Sequence, residues 1–401
     1  MSRSSSVEPS AAVGSDGHHS LMGARGRWAN AGALWLAALG AVFLVASMAV
    51  LVGSPGWGYD FEAYYVAALR LARGDGVYQP WTLAEAFRPG PYGLYLYAPP
   101  LAIAFLPLTA LSLSTATALW VAVRIVLLGV ACALMPVSRP IRLATFAAAA
   151  FSSAVLSDLH LGNVSVVVAC LSVFVWRWLD RPQGSAALAL CLSVRPTMGL
   201  VCVSWLLRRR LRPVIWTAIA GVALVAITLP FVGLQGYRDY LTVLSHVSEV
   251  TGVANNLDLG STVLRMGGAP IAATVALFLG YAVGIGAMLL SLRRDRELNY
   301  VVTLGASLLL APLLWDHYLA SLIIPAAFLA QRGRSWGVLL PLLAWAPPPL
   351  LSLLVVASTV LPFLAHDPIA LARDPDDSPP AKKRAPSGAV PVPEPVPATW
   401  T

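Results

Sequence analysis

Charge is scarce in this sequence. Only 11% of its 401 residues are Asp, Glu, Lys or Arg, against about 25% in soluble domains. Lysine is almost missing, with Lys382 and Lys383 both in the C-terminal tail. Cysteine is sparse as well. Cys132, Cys170, Cys191 and Cys202 lie inside apolar runs and no CxxC pair occurs. That argues against a disulfide framework or a thiolate metal site and leaves small apolar packing residues. The motifs of soluble catalysis are absent too: no phosphate-binding GxxxxGK, no dinucleotide-type glycine fingerprint, no HExxH and no GxSxG. One D-x-D, Asp374-Pro375-Asp376, sits in a Pro-rich charged tail, a poor place for a nucleotide-sugar metal clamp. No internal repeat of the kind many transporters carry is visible.

What is present is apolar length. Hydrophobic residues make up 58% of the chain and mean hydropathy is +0.72. Apolar runs fall near 30–53, 93–113, 115–135, 141–157, 163–179, 185–207, 213–232, 270–291, 299–314, 317–331 and 336–365. A bilayer core takes about 20 helical residues, so the expected fold is all-α and polytopic, with about 11–12 transmembrane helices. The uncertainty of one is Pro347-Pro348-Pro349, which makes 336–365 one kinked span or two short ones. Residues 1–28 are polar and Ser/Gly-rich and are expected to be a disordered cytoplasmic leader. The first run is too long for the core of a signal peptide. The Pro-rich tail, 366–401, is expected to be disordered. Residues 29–365 form the transmembrane domain.

The formal net charge of +8 does not point to nucleic acid. Its arginines cluster between the runs, where loops on the cytoplasmic side carry them. Counting from a cytoplasmic N-terminus puts Arg208, Arg209, Arg210 and Arg212 inside, with Arg293, Arg294 and Arg296, then Arg332 and Arg334. The same count places two polar loops outside, 54–92 and 233–269, together with 315–316. Four arginines dissent: Arg139, Arg142, Arg177 and Arg181 fall in short outside loops.

The first outside loop is the most unusual stretch. "DFEAYYVAALRLARG" sets Phe61, Tyr65, Ala68, Leu69 and Ala72 on one helical face, an amphipathic helix for the membrane surface. Asp60 stands just before it, where an aspartate caps a helix by accepting backbone N–H bonds. A carboxylate at that place can equally act as a general base. Two arginines lie within apolar runs, Arg124 and Arg195, where charge is expensive and functional sites are the default expectation. A structural ion pair or snorkelling is the competing account for each. His317, in "WDHY", sits at a helix end among aromatics, with Asp316 placed to orient it or to cap a helix. His160 reads as structural.

These segments together resemble the opening and later motifs of the glycosyltransferase-C superfamily. In detail, "GYDFEAYY", "RGDGVYQP" and "YLYAPPLAIAFLPLTALS" resemble the first loop and second apolar segment of actinobacterial α-mannosyltransferases that use polyprenol-phosphate-mannose. "LGNVSVVVACL" resembles their G-Q-x-N-like run, with Asn163 at the Gln position. "LSVRPTMGLVCVSWLLRRRLR" resembles a K-x-x-P helix, with Arg195 at the Lys position. "NNLDLGSTVLRMGG" resembles an N-x-S…R loop with Asp258 at the Ser position, and "APLLWDHYLASLIIP" a P-x-x-W-x-H-Y motif. The order covers residues 30–330.

The resemblance implies an inverting transfer of mannose from a polyprenyl-phosphate donor to a glycolipid or lipoglycan acceptor, at the outer face of the cell membrane. Asp60 would be the base and His317 a second catalytic group. Arg265, Arg195, Tyr64, Tyr65 and Asn256 would bind substrate. No metal and no cofactor is called for, and the partners are the two lipid-linked sugars and membrane lipid, not nucleic acid. The alternatives are an arabinofuranosyl or other pentosyl transferase of the same superfamily, and a lipid or solute transporter in which Asp60 only caps.

Overall fold

The computed structural model describes residues 16–84, 92–247 and 255–365, with side chains from residue 30 onward. The expected tail, 366–401, lies outside the described residues. Among them there is helix and no strand, as the apolar runs require, since a backbone in lipid must satisfy its own polar groups.

The chain opens on α1 (Asp16–Leu51), which starts inside the segment expected to be disordered. Three short helices follow on one end of the molecule: α2 (Tyr59–Arg73), α3 (Pro80–Ala84) and α4 (Pro99–Phe105), the last prolonged by a 3₁₀ turn to Ala110. Then come α5 (Leu113–Leu134), α6 (Arg139–Ala150), α7 (Ser153–Leu161), α8 (Ser165–Arg177), α9 (Pro182–Val194) and α10 (Gly199–Leu207). The second half holds α11 (Leu211–Val247), α12 (Leu259–Arg265), α13 (Pro270–Ser291), α14 (Arg296–Leu309), α15 (Ile323–Gln331) and α16 (Pro348–Val360). A 3₁₀ segment, Asp316–Leu322, leads into α15, and another, Ser335–Trp345, precedes α16.

Four stretches are long and apolar enough to cross a membrane: Asn30–Leu51, Leu113–Leu134, Leu211–Val247 and Pro270–Ser291, with α6 and α7 forming a fifth that is bent by 61°. Leu36, Ile219, Val222, Ile271 and Phe278 on these helices are exposed, which is what a lipid-facing surface demands. The shorter apolar helices pack between them. α14 is buried along almost its whole length. Thr217, Thr228 and Thr303 turn their hydroxyls back onto carbonyls four residues earlier, so polar side chains sit in apolar helices without an open hydrogen bond.

The arginine clusters converge on one end. Arg208 donates to the carbonyls of Leu292 and Arg294 at 3.1 and 2.8 Å. Arg332 pairs with Asp295 at 2.8 Å and Glu297 at 3.3 Å, and Asp180 joins Arg210 to Arg296. The four dissenting arginines belong to this same end. Asp180 carries the Arg177–Arg181 loop there, and Arg177 itself reaches the carbonyl of Leu134. Arg142 holds the carbonyls of Ala133 and Val137, and Ser138 donates its N–H to Gln331 beside Arg332.

Two local departures from the run-by-run expectation explain this. Residues 93–113 do not run between the two ends: Pro99–Ala110 is a twelve-residue apolar segment, about 20 Å long with its 3₁₀ turn, short of a core of about 30 Å. It packs on α2, and Tyr65 Oη holds the carbonyl of Leu111 at 2.8 Å. Conversely, 185–207 is two arms rather than one. Pro196 has no N–H and disfavours helix at Arg195, so α9 ends at Val194. Ser185 at its start bonds Pro213, beside the basic end, while Ser193 at its finish bonds Ala98 at the other end. One passage between the two ends is lost and one gained, so the loops between change ends while the later clusters keep theirs. The Pro347 break likewise makes two arms: Ser352 meets Thr262 of α12, and Leu364 returns to Arg334 at the basic end.

The segment from 233 onward, expected as a loop, is helical as far as Val247, beyond a break at Gly233 (φ 63°, ψ 179°). Its Val243 is buried in the α2–α4 cluster, and Tyr240 stacks on Tyr78 at 6.5 Å.

This arrangement predicts a labelling pattern. Cysteines introduced at Arg181 and Arg334 will react with an impermeant thiol reagent from one side of sealed vesicles, and one at Gly74 from the other. Labelling of Arg181→Cys together with Gly74→Cys would contradict the assignment of ends.

Candidate active site

The end opposite the arginines is built on a turn between α7 and α8. Arg124, fully buried in α5, faces Asp158, also fully buried in α7, with Nη1 3.2 Å from Oδ2. Arg124 also donates to the carbonyls of Asp158, of Leu159 at 3.0 Å and of Asn163 at 3.0 Å, and its Nε reaches Trp120 O at 3.3 Å. It thereby closes the C-terminal end of α7, where carbonyls lack helical partners. Asp158 Oδ1 accepts from the N–H groups of Ser165 (2.7 Å) and Val166 (3.4 Å), opening α8. A buried pair survives desolvation only when its remaining hydrogen-bond capacity is satisfied, and here it is. The structural account of Arg124 is therefore the one realised.

The turn is tight because Gly162 adopts φ +81°, and any Cβ there would lie 2.4 Å from Cβ of Phe61. α2 docks against that face. Gly58 N–H donates to His160 O at 2.8 Å, and Trp120 Nε1 donates to Gly162 O at 2.9 Å.

Asp60 does not cap α2. The cap position is Gly58, in a left-handed conformation with no side-chain bond, and the helix already begins at Tyr59. The half-buried Asp60 carboxylate turns instead to the α7–α8 turn, where its Oδ2 accepts from Asn163 Nδ2 at 2.8 Å. The segment after α3 closes over it: Gly93 N–H bonds Tyr59 O at 2.8 Å, and a Cβ on Gly93 would lie 2.7 Å from Asp60 Oδ1. Burial pushes the Asp60 carboxyl above its usual range, with Asp316 adding to the rise, while His317, the Asn163 bond and Arg124 oppose it. A base so raised is better matched to neutral pH than a solvated aspartate.

Around Tyr97 and Tyr318, which neighbour Asp60, lies a cationic and aromatic cluster. Arg195, 5% exposed, ends α9. Its guanidinium carbon stands 4.0 Å from the centre of the Tyr318 ring, and Nη2 is 3.5 Å from Ser165 Oγ. Its Nη1 is buried with no hydrogen-bond partner among the described residues. His317 is 4% exposed. It lies between Trp315, parallel to its ring at 6.5 Å, and Tyr318, edge-on at 5.2 Å. Its Nδ1 is 3.3 Å from Asp316 Oδ1, but neither ring nitrogen makes a well-aligned hydrogen bond among the described residues. Tyr97 and Tyr318 lie within electrostatic reach of both Asp60 and Arg195. Unsatisfied buried donors are rare, and an unpartnered Arg195 Nη1 sharing its tyrosine neighbours with a half-buried carboxylate marks a place suited to something polar.

The other candidates have different surroundings. Tyr64 is buried beside Asp60, edge-on to Tyr97 at 5.4 Å and bonded to its hydroxyl at 3.3 Å. Tyr65 is committed to Leu111 O. Asn256 uses its side chain on Pro312 O, Leu314 N–H and Asp258 N–H, which ties the start of α12 to the segment leading to His317. Arg265 donates to Asn256 O at 2.7 Å and Thr262 Oγ1 at 3.0 Å. Asp258 caps α12 through Ser261 N–H at 2.8 Å. Asn163 was legible only as a motif position; its contact with Asp60 spans 103 residues and left no local signal. The Arg124–Asp158 pair left half of one: Arg124 is a charge inside an apolar run, while Asp158 falls just past the end of another.

Compared with known proteins, the chain matches the model of glycosyltransferase family 87 over residues 95–315. No curated protein and no solved structure matches it.

Replacing Arg124 by Met leaves Asp158 buried without its cation, which costs roughly 3–5 kcal/mol. The detergent-solubilised Arg124→Met protein will unfold at a clearly lower temperature than the parent, and adding Asp158→Leu will recover part of the loss. Unchanged melting of Arg124→Met would show that the pair does not carry the turn.

Proposed function

The chain belongs to glycosyltransferase family 87, and from that premise we propose that it transfers mannose from a polyprenyl-phosphate-mannose donor to a lipid-linked or lipoglycan acceptor. It is a multi-pass membrane glycosyltransferase; donor, acceptor and sidedness are our reading. The observation that carries it is the half-buried carboxylate of Asp60 in one region with two buried side chains: Arg195, whose Nη1 has no hydrogen-bond partner among the described residues, and His317, held only by a 3.3 Å contact to Asp316. With the arginine-rich end inside, as the charge rule asks, Asp60 stands at the outer leaflet of the cell membrane, where a lipid-phosphate sugar is within reach.

The step is a single displacement. The acceptor hydroxyl passes its proton to Asp60, its oxygen bonds to the anomeric carbon, and the bond from that carbon to the phosphate oxygen breaks, with its electron pair leaving on polyprenyl phosphate. One base acting once inverts the anomeric centre, so a β-linked donor gives an α-mannoside. The departing phosphate gains negative charge, which Arg195 meets from the cluster and Arg265 from the end of α12. His317 orients acceptor or phosphate. Tyr64 lines the sugar side, with Tyr65 and Asn256 holding the surrounding segments. The choice of mannose rests on the motif resemblance; a pentosyl donor would use the same base and the same leaving group.

The test is transfer from radiolabelled polyprenol-phosphate-mannose by the purified protein in nanodiscs supplied with envelope glycolipids. Wild type will form labelled product. Asp60→Asn will lose about 10²–10⁴-fold while melting as the parent does. A fully active Asp60→Asn ends the assignment of the base. Activity needs the ionised carboxylate, so kcat/KM will rise with pH through a midpoint above the ordinary aspartate range. A profile already flat at the ordinary value would contradict the raised Asp60.

A further inference from the structure

We propose that Asn163 is the positioning residue of the base: it holds Oδ2 of Asp60 and leaves Oδ1 as the oxygen that takes the acceptor's proton. This rests on the reading of Asp60 as base.

The geometry carries it in three parts. First, the orientation of the amide is determined. Asn163 Oδ1 accepts from Val164 N–H at 2.7 Å and from Ser165 Oγ at 3.1 Å. With the oxygen occupied by two donors, the NH₂ group is the end that faces Asp60, so the bond must run from amide to carboxylate. Second, the backbone under Asn163 is immobilised. Its carbonyl accepts from buried Arg124 and its N–H donates to Asp158 O at 3.0 Å. The side chain is 4% exposed, so water does not compete for it. Third, the bond from Asn163 is the one hydrogen bond made by the Asp60 carboxylate among the described residues. Oδ1 is thus free to receive a proton, and rotation of the carboxylate is arrested through its other oxygen.

A bond to the ionised form favours that form, so the amide also works against the burial that raises Asp60. The groups facing the carboxylate come from several elements. Tyr59 and Tyr64 lie on α2, Tyr97 on the segment before α4, Arg124 on α5, and Asp316, His317 and Tyr318 on the 3₁₀ segment before α15. Of these, the charges of His317 and Arg124 stabilise ionised Asp60 and that of Asp316 opposes it. Asn163 adds a directed bond that none of them supplies.

The discriminating variant is Asn163→Asp. It has the same shape and keeps an oxygen for Val164 N–H and Ser165 Oγ, so the backbone turn it anchors is retained. It replaces the donor facing Asp60 with a second carboxylate oxygen, and two such groups share a proton. We expect kcat/KM to fall by about tenfold or more at pH 7 and to recover as the pH rises. The acid limb should move up by about one pH unit or more, while the KM for donor and for acceptor stay within about threefold. Asn163→Ser, which removes the donor without adding charge, should shift the limb the same way by less, with kcat lowered. It also serves if Asn163→Asp does not fold. A wild-type pH profile in either folded variant overturns the proposal, and so does a loss that is equal at every pH. If Asp60→Asn is itself active, the base assignment fails; if Asp60→Asn is dead and the Asn163 variants titrate as wild type, only the positioning role fails.

Discussion

A cation that never reaches water governs the end of this protein that holds the candidate site. Arg124 gathers the last carbonyls of α7, the Asp158 carboxylate and the carbonyl of Asn163 around one guanidinium. Asp158 in turn begins α8. The broken pair α6–α7 and the short α8 would otherwise leave a knot of unsatisfied backbone groups inside an apolar bundle, at several kcal/mol each. The pair converts that liability into a rigid turn. Gly162 lets Phe61 of α2 lie directly on it, and so Asp60 is brought to Asn163. A charge buried for structural reasons thus decides where the half-buried Asp60 carboxylate of α2 can stand.

Opposite that turn, the second arm of the site depends on a broken helix. Pro196 ends α9, and the side chain at the break, Arg195, lies over Tyr318. The Asn256 side chain clasps 312–314, which sets the 3₁₀ segment carrying His317. Asp60, Arg195 and His317 come from regions more than a hundred residues apart, yet each is placed by a local device: a docked helix start, a proline break and a side-chain clasp. The basic end does the complementary work. Its ion pairs and arginine-to-carbonyl bonds join loops from both halves of the chain, and the site at the far end is free of that charge.

The all-α, many-helix architecture was legible in the sequence because apolar length is a direct consequence of burying backbone in lipid. Individual crossings were less so. Hydropathy is blind to whether twelve apolar residues span or lie against α2, and to whether Pro196 kinks a helix or reverses it; both are decided by packing. Arg139, Arg142, Arg177 and Arg181, which the run-by-run count set apart from the other clusters, were the visible symptom: the fold gathers them at the same end as the rest. Asp60 could be singled out because a carboxylate directly after a span is unusual. That it faces Asn163 rather than its own helix N-terminus could not be read locally, since Gly58 takes the cap position and the partner is remote. Arg195 and His317 stood out as costly polar residues, and both remain without full hydrogen bonding in the fold. Arg124 stood out for the same reason but is fully satisfied by α7, which shows why a buried charge alone does not identify a site.

The central claim is that a lipid-linked phosphate is held by Arg195 while Asp60 faces the sugar carbon it leaves. Its most direct test is a structure of the protein in nanodiscs with a non-hydrolysable phosphonate analogue of polyprenol-phosphate-mannose. The account predicts the phosphonate within hydrogen-bonding distance of Arg195 Nη1, with the anomeric carbon on the side of Asp60 Oδ1. A phosphonate bound at the arginine-rich end, or at the outer end with Asp60 turned away from the sugar, would contradict it.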